Sequence, residues 1–237
     1  MIRFVNMLTI KDGTTYDDFV ERVRREAQAS ASRAPQAEVR CAFIIPPDPA
    51  LPDGDYGVLP GGGVGAGWSN IDAVLELLGP DDTAVELGLD AFRGLAARLA
   101  DVVDASRSAS VVGTEHTIVP GMGAIEIHAF LRRIEPLSHD GFRDYWRNEF
   151  GPAASKTPHM AGYRQVHADA DATALACRTS GFAIDDFDGV AVEWFESAPK
   201  LGEASAWAEN QASQRTAAQK FTVVRMLVSD NPDRVSS

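Results

Sequence analysis

The sequence predicts an α+β protein built from two βαββαβ units that stack sheet to sheet. Three observations carry that expectation. First, the chain repeats itself: with Phe142 laid over Phe19, IRFVNMLTI falls over IEIHAFLRR and TTYDDFVERV over LSHDGFRDYW, and further on NIDAVLEL matches DFDGVAVE. Second, the order of strand-like and helix-like segments is the same in both halves. Third, the strand segments carry apolar residues on both sides, so a sheet whose helices cover one face needs a cover for the other. The sheet of the other repeat supplies it, giving a barrel-like core with helices outside. Only Pro120-Gly121-Met122-Gly123 joins the halves, too short a link for two independent domains.

The elements follow in order. Residues 2–10 form an apolar strand that ends at Asp12-Gly13, a turn pair. Thr14 or Thr15 caps a helix with Asp17 and Asp18 in its first turn, and Tyr16, Phe19, Val20, Val23 and Ala27 recur at helical spacing. Residues 37–45 form a strand stopped by Pro46-Pro47. A Pro/Gly-rich excursion runs to about Gly67, and residues 70–78 return as a strand. Val85, Leu89, Phe92, Leu95, Leu99 and Val103 mark a second helix, and residues 109–119 close the first unit. In the second unit residues 124–133 form a strand, and Ser138 caps a helix with Phe142, Tyr145, Trp146 and Phe150 on its apolar face. Strands at 161–168 and 188–196 flank a polar stretch. A helix at 198–216 and a strand at 221–229 complete the unit, followed by a loose tail. The expected division is residues 1–121 and 122–237.

Composition narrows the function classes. Of 237 residues, 45% are hydrophobic and 24% charged, enough for a real core. The formal net charge of −12 disfavours nucleic acid and anionic membranes, which attract Lys and Arg. No segment approaches the ~20 apolar residues of a membrane span. The N-terminus lacks the features of a signal peptide. Cys41 and Cys177 make no metal-like spacing or disulfide framework. A cytoplasmic protein with a small-molecule partner is expected.

The second half carries a more specific pattern. LSHDGFRDYWRNEFGP at residues 137–152, GYRQVH at 162–167 and DGVAVEWF at 188–195 occur in that order and resemble the EthD family of the dimeric α/β-barrel superfamily. The first half resembles the fold but hardly the motif, as a diverged copy would. The resemblance implies two ferredoxin-like repeats in a pseudo-dimeric α/β barrel. It implies a small, aromatic or polyketide-like substrate and, as a rule, no cofactor; it does not choose a reaction. Many family members carry His immediately before Gly-Pro, where this chain has Phe150. Duplication makes a single chain self-sufficient and leaves a homodimer open.

The candidate chemistry follows from strand parity. On the strand at 124–133, Glu126, His128, Phe130 and Arg132 share one face and are expected to point into the barrel. Buried ionisable groups are costly unless paired, and the matching face of the first repeat carries Arg3, Val5, Met7 and Thr9. His128 is the first candidate for general base or acid, because imidazole titrates near neutrality. The alternative is a core histidine bonded to its neighbours. Glu126 either orients His128 or pairs with Arg132 or Arg3.

Tyr163, Gln165 and His167 alternate on one face of the next strand. If that face points inward, they join the same cavity and hold a substrate oxygen. If not, they form a polar face near solvent. Phe130, Arg132, Gln165, Phe150 and His159 complete the expected lining. Trp146 is expected in the core, His139 exposed in a first helical turn, and His116 half exposed on the strand closing the first unit. Glu193 is left open between inward and outward. PGGGVGAG at 60–67 lacks the Lys-Ser/Thr and helix of a phosphate loop and suggests a flap. No metal-binding pair occurs in sequence, and no clear haem ligand is nominated.

The expected function is a cofactor-independent lyase, isomerase or cyclase acting by acid–base chemistry. The alternatives are a cofactor-free monooxygenase on a phenolic substrate and a non-catalytic binding protein.

Overall fold

The computed structural model describes residues 1–45, 69–80, 83–207, 215–230 and 233–235. The Gly-rich segment 60–67 lies outside the described residues. The first repeat runs β1 (Ile2–Leu8), α1 (Tyr16–Arg33), β2 (Glu38–Phe43), β3 (Ser69–Asn70), β4 (Ala73–Gly79), α2 (Thr83–Phe92), α3 (Leu95–Arg98) and β5 (Ala109–Val119). The second runs β6 (Ile125–Arg133), α4 (His139–Tyr145), a π-helical turn (Trp146–Phe150), α5 (Gly151–Ala154), β7 (Met160–Ala168), α6 (Ala170–Ser180), β8 (Gly189–Phe195), α7 (Ala198–Ala206), β9 (Phe221–Asp230) and β10 (Asp233–Val235).

The strands form one sheet in the order β10-β2-β4-β1-β5-β7-β8-β6-β9-β3. Within it β2-β4-β1-β5 and β7-β8-β6-β9 have the same ferredoxin-like order. Antiparallel pairing of β5 with β7 joins the two quartets. At the other seam β10, which follows β9, pairs with β2, and Ile45 N–H donates to the Val228 carbonyl. The sheet therefore closes on itself as an α+β barrel.

Alternation along the strands creates three apolar layers. Val5, Met7, Val111, Phe130, Val166, Val192 and Trp194 pack inside the barrel. Phe4, Leu8, Phe19, Val23, Leu75 and Leu77 pack between sheet and helices in the first repeat. Ile127, Phe142, Trp146, Phe150, Tyr163 and Phe221 do the same in the second. Thr15 and Ser138 start α1 and α4 in the same way: each side-chain oxygen accepts from the N–H three residues on, of Asp18 and of Gly141.

Three elements differ from expectation. The polar stretch after β7 contains α6, capped by Asp169 and ended by Gly181 in the left-handed region at φ 85°. Its buried stripe is Thr173, Ala176, Cys177 and Ser180, too small and polar to read as an apolar face, and it lies against β5. The second helix of the first repeat is divided at Gly94, φ 66°, into α2 and α3. The helix expected over 198–216 begins as α7 and ends at Ala206 within the described residues. Among the described residues no helix is long and apolar enough to cross a membrane.

Candidate functional site

The sheet divides the expected site residues into two groups that never meet. Glu126 and His128 face the barrel interior, where both are fully buried. Tyr163, Gln165 and His167 face the helices, so the single inward cavity holding all five is corrected. The reason is packing. Val166 and Ala168, on the other face of β7, belong to the barrel's apolar core, and Gly162 leaves room for the Trp194 ring. Tyr163 meanwhile finds its hydrogen bonds on the helix side, with Trp146 and Gln165.

Inside the barrel lies an ionic cluster contributed by both repeats. Arg3 grips Glu76 through two bonds, Nε to Oε1 at 2.9 Å and Nη2 to Oε2 at 2.7 Å, and reaches Glu115 Oε2 through Nη1 at 2.7 Å. Arg40 Nη2 donates to Glu126 Oε2 at 3.0 Å. His128 Nε2 lies 2.9 Å from Glu76 Oε1 and 3.4 Å from Glu126 Oε1. Arg164 approaches Glu115 at 3.7 Å. Burial opposes ionisation of Glu76, yet Arg3 and His128 outweigh it and hold the carboxyl well below its usual range.

Three guanidiniums thus match three carboxylates. Glu76, Glu126 and His128 offer ligand atoms within 4.8 Å of one another, but a divalent ion there would have to displace a guanidinium. Arg132, expected beside them, pairs instead with Asp185 at the barrel rim, and Phe130 packs edge-on against Phe187 at 5.3 Å. His128 is sealed among charged partners, with apolar side chains filling the rest of the interior. A substrate would have to open the barrel to touch it.

The helix side is different. A cleft of about 420 Å³ opens there, lined by Thr114 and His116 of β5, His167 of β7, and Arg143, Arg147 and Asn148 above them, with Asp144 and Asp169 also on its walls. Pairing of His116 with Gln165 across the β5–β7 seam brings the two imidazoles edge to face at 4.6 Å. His167 stacks on Trp146 at 4.9 Å.

Its tautomer follows from its neighbours. Gln165 Nε2 donates to the Trp146 carbonyl at 2.7 Å and to the Tyr163 hydroxyl at 3.1 Å, so Gln165 Oε1 is the acceptor for His167 Nε2–H at 3.1 Å. Nδ1 of His167 is left as the basic nitrogen. Burial, then the positive charge of His116, Arg143 and Arg147, lowers the His167 pKa to about 3. His116 is lowered as well, by burial and by Arg147, whose Nη1 lies 3.4 Å from His116 Nε2.

The remaining expected residues fall around this layer. Trp146 is fully buried and donates Nε1–H to the Tyr163 oxygen at 3.0 Å. Burial drives the Tyr163 hydroxyl well above its ordinary range, which keeps it a phenol. Phe150 packs edge-on against Phe221 at 5.4 Å. His159 sits in a loop in the left-handed region, φ 63°, with Nε2 at 3.0 Å from Glu203. His139 is not free in solvent: its Nδ1 lies 2.8 Å from Asp188, which also binds Arg133. Sequence reasoning missed Arg143 and Arg147, four residues apart on one helical face. It also missed Arg40, Glu76, Glu115 and Arg164, charges at inward positions of largely apolar strands.

This arrangement, a duplicated ferredoxin-like unit closed into a barrel with a cleft between the second sheet and its helices, defines a dimeric α+β-barrel protein. The EthD domain model matches residues 134–222, covering α4 through the start of β9. Among solved structures, an anthrone oxidase-like protein superimposes with a TM-score of 0.58 at 8% identity, covering 100% of this chain and 94% of its own. A variant chlorite dismutase from Candidatus Nitrospira defluvii gives 0.51 at 12% identity, covering 97% and 91%. At these identities the likeness is one of fold. A search of curated proteins found no match.

Proposed function

We propose that the protein is an acid–base enzyme of the lyase, isomerase or cyclase type. Its substrate is a small, oxygen-bearing aromatic or polyketide-like molecule, seated in the cleft between β5, β7 and α4. One observation carries this reading: a neutral imidazole, His167, is held by Gln165 and Trp146 with its basic nitrogen left over, in a cleft that also holds two guanidiniums with no carboxylate partner among the described residues. Arg143 Nε is itself buried without a hydrogen-bond partner.

The chemistry follows from charge. A carbonyl or phenol oxygen between Arg143 and Arg147 becomes more strongly held as it gains negative charge. That negative charge also offsets the cations that, after burial, keep His167 unprotonated. Proton uptake by His167 is therefore easiest when the substrate is becoming an enolate, which favours the transition state over the ground state. His116 stands beside His167 to share or return the proton. Every group this step needs belongs to the chain.

The test is turnover of a panel of phenols and polyketide-like ketones, followed by absorbance and an oxygen electrode. Expected is turnover without oxygen uptake, reduced ~100-fold or more in His167→Gln, with KM raised in Arg143→Met. Turnover indifferent to His167→Gln sinks the proposal, and stoichiometric oxygen uptake replaces it with a monooxygenase.

A further inference from the structure

The helix that begins at α4 runs through the turn at Trp146–Phe150 into α5 without a break, widened in its middle. In that turn the Trp146 carbonyl accepts the N–H of Gly151, five residues on, a wider spacing than that of an α-helix. Pro152, at the start of α5, works against a regular turn there. It has no N–H for the Asn148 carbonyl, and its ring would press on that oxygen. The Trp146 carbonyl keeps a second lone pair, and Gln165 Nε2–H of β7 takes it at 2.7 Å.

Gly151 makes that approach possible. Its φ of −55° is ordinary helix, so the need is for space. A Cβ at this position would sit 3.1 Å from Gln165 Nε2 and 3.3 Å from the Trp146 oxygen, tighter than ordinary contact with both partners of the bond.

The approach decides between two orientations of a buried amide. As built, Gln165 Nε2 donates to the Trp146 carbonyl and to the Tyr163 oxygen, at 3.1 Å, and Oε1 accepts His167 Nε2–H. The reverse orientation would suit Tyr163 better. Its oxygen already accepts from Trp146 Nε1, and its own proton would then go to the amide oxygen. The reversed amide would also aim Nε2–H at His167 Nε2, which would have to become an acceptor, with the ring proton moved to Nδ1. What opposes the reversal is the Trp146 carbonyl, which would face Gln165 Oε1 at 2.7 Å, acceptor against acceptor.

We infer that Gly151 and Pro152 are positioning residues for His167: through the Trp146 carbonyl and the Gln165 amide they fix its proton on Nε2 and keep Nδ1 free as the base. Neither residue lines the cleft. With the proton on Nδ1, the basic nitrogen would be Nε2, already tied to the amide, and the ring would have no free nitrogen to act with. The consequence for catalysis rests on the acid–base reading of the cleft. The test does not, because the tautomer is observed without substrate.

The experiment is a long-range proton–nitrogen NMR correlation spectrum of the full-length protein, labelled with heavy nitrogen at histidine, at neutral pH and without substrate. The His167 signals are those missing from His167→Gln. In the parent the proton is expected on Nε2. It is expected to move to Nδ1 in Gly151→Val, whose side chain wedges between amide and carbonyl, and in Pro152→Ala, which permits a regular turn. Thermal melts confirm that each variant is folded, and Pro152→Ala adds no bulk, so it reports even where Gly151→Val disturbs packing. A His167 proton found on Nδ1 in the parent, or one that stays on Nε2 in either folded variant, overturns the assignment. A proton that moves as stated, in a protein that turns over none of the phenols or ketones, upholds the positioning and removes only the acid–base reading.

Discussion

At equivalent sheet positions under their helices, the first repeat places Phe4, Leu77 and Val39, and the second places Ile127, Glu193 and Tyr163. The equivalence is fixed by pairing: Leu77 lies across from Phe4 and Val39, and Glu193 across from Ile127 and Tyr163. The next pair along continues the contrast, with Leu75 and Cys41 in the first repeat and Ala191 and Gln165 in the second. Above them, Val23 of α1 answers to Trp146, whose indole reaches back to Tyr163. One copy has filled its helix–sheet layer with apolar side chains. The other has put a polar line through the same layer. Duplication thus lets one half hold the fold while its copy carries groups that a stability-optimised core would exclude.

The barrel interior does not follow that division, and the largest expected effect would show it. Arg3 of the first repeat is bonded to Glu76 and Glu115 and lies 3.9 Å from Glu126 of the second. Arg3→Met leaves carboxylates buried without their cation and is expected to destabilise the whole barrel by ~3–5 kcal/mol. The loss should appear as a lower urea midpoint at unchanged slope. Adding Glu76→Leu should recover much of it, because removing both partners relieves the unpaired charge. Two separate transitions, with only the first repeat weakened, would show that the repeats do not share this core.

These features differ in how plainly the sequence carried them. Repeat order, the caps at Thr15 and Ser138 and the parity of β6 are local patterns, and local patterns are written in neighbouring residues. The orientation of β7 is not: its two faces, Tyr163-Gln165-His167 and Gly162-Arg164-Val166, offer similar mixtures. What decides between them is a partner far along the chain, Trp146 on one side and Trp194 on the other. The partners of His128 were hidden for the same reason. Glu76 and Arg40 reach it only through barrel closure. The face of α6 was masked by its chemistry, since Thr173, Ala176 and Ser180 pack closely without being markedly apolar.

A medium effect separates the two polar groups of the second repeat, because they shift in opposite senses. The folded His167 pKa, about 3, lies below its ordinary 6.5, so the unfolded chain binds more protons between those values and stability rises with pH across that window. The folded Glu193 pKa, about 7, lies above its ordinary 4.5, so the native state binds more protons and stability falls as pH rises from 4.5 to 7. Glu193→Gln should therefore stabilise the protein at pH 8, by on the order of 1–2 kcal/mol after discounting for partial exposure. His167→Gln should flatten the acid side of the stability profile. Leu77 supplies the reference: as an aliphatic residue at the Glu193 position, it gives the first repeat no such dependence. A Glu193→Gln variant less stable than the parent at pH 8 would mean that the carboxylate is paired in solution.

The smallest effect tests the likeness between the repeats. Thr15 and Ser138 cap equivalent helices with bonds of 3.2 and 3.1 Å. Thr15→Ala and Ser138→Ala should each cost about 1 kcal/mol, by the same loss of a partner for one terminal N–H. Their consequences should diverge beyond stability. α1 closes a sealed layer, whereas α4 carries Arg143 and leads into Trp146 and Arg147. Fraying at Ser138 loosens the guanidiniums over the cleft, and fraying at Thr15 has no such path. Titration with benzoate, a small aromatic anion, should therefore show weaker binding in Ser138→Ala and parent-like binding in Thr15→Ala at matched stability. Equal weakening in both would mean that the cleft senses only the global stability of the barrel.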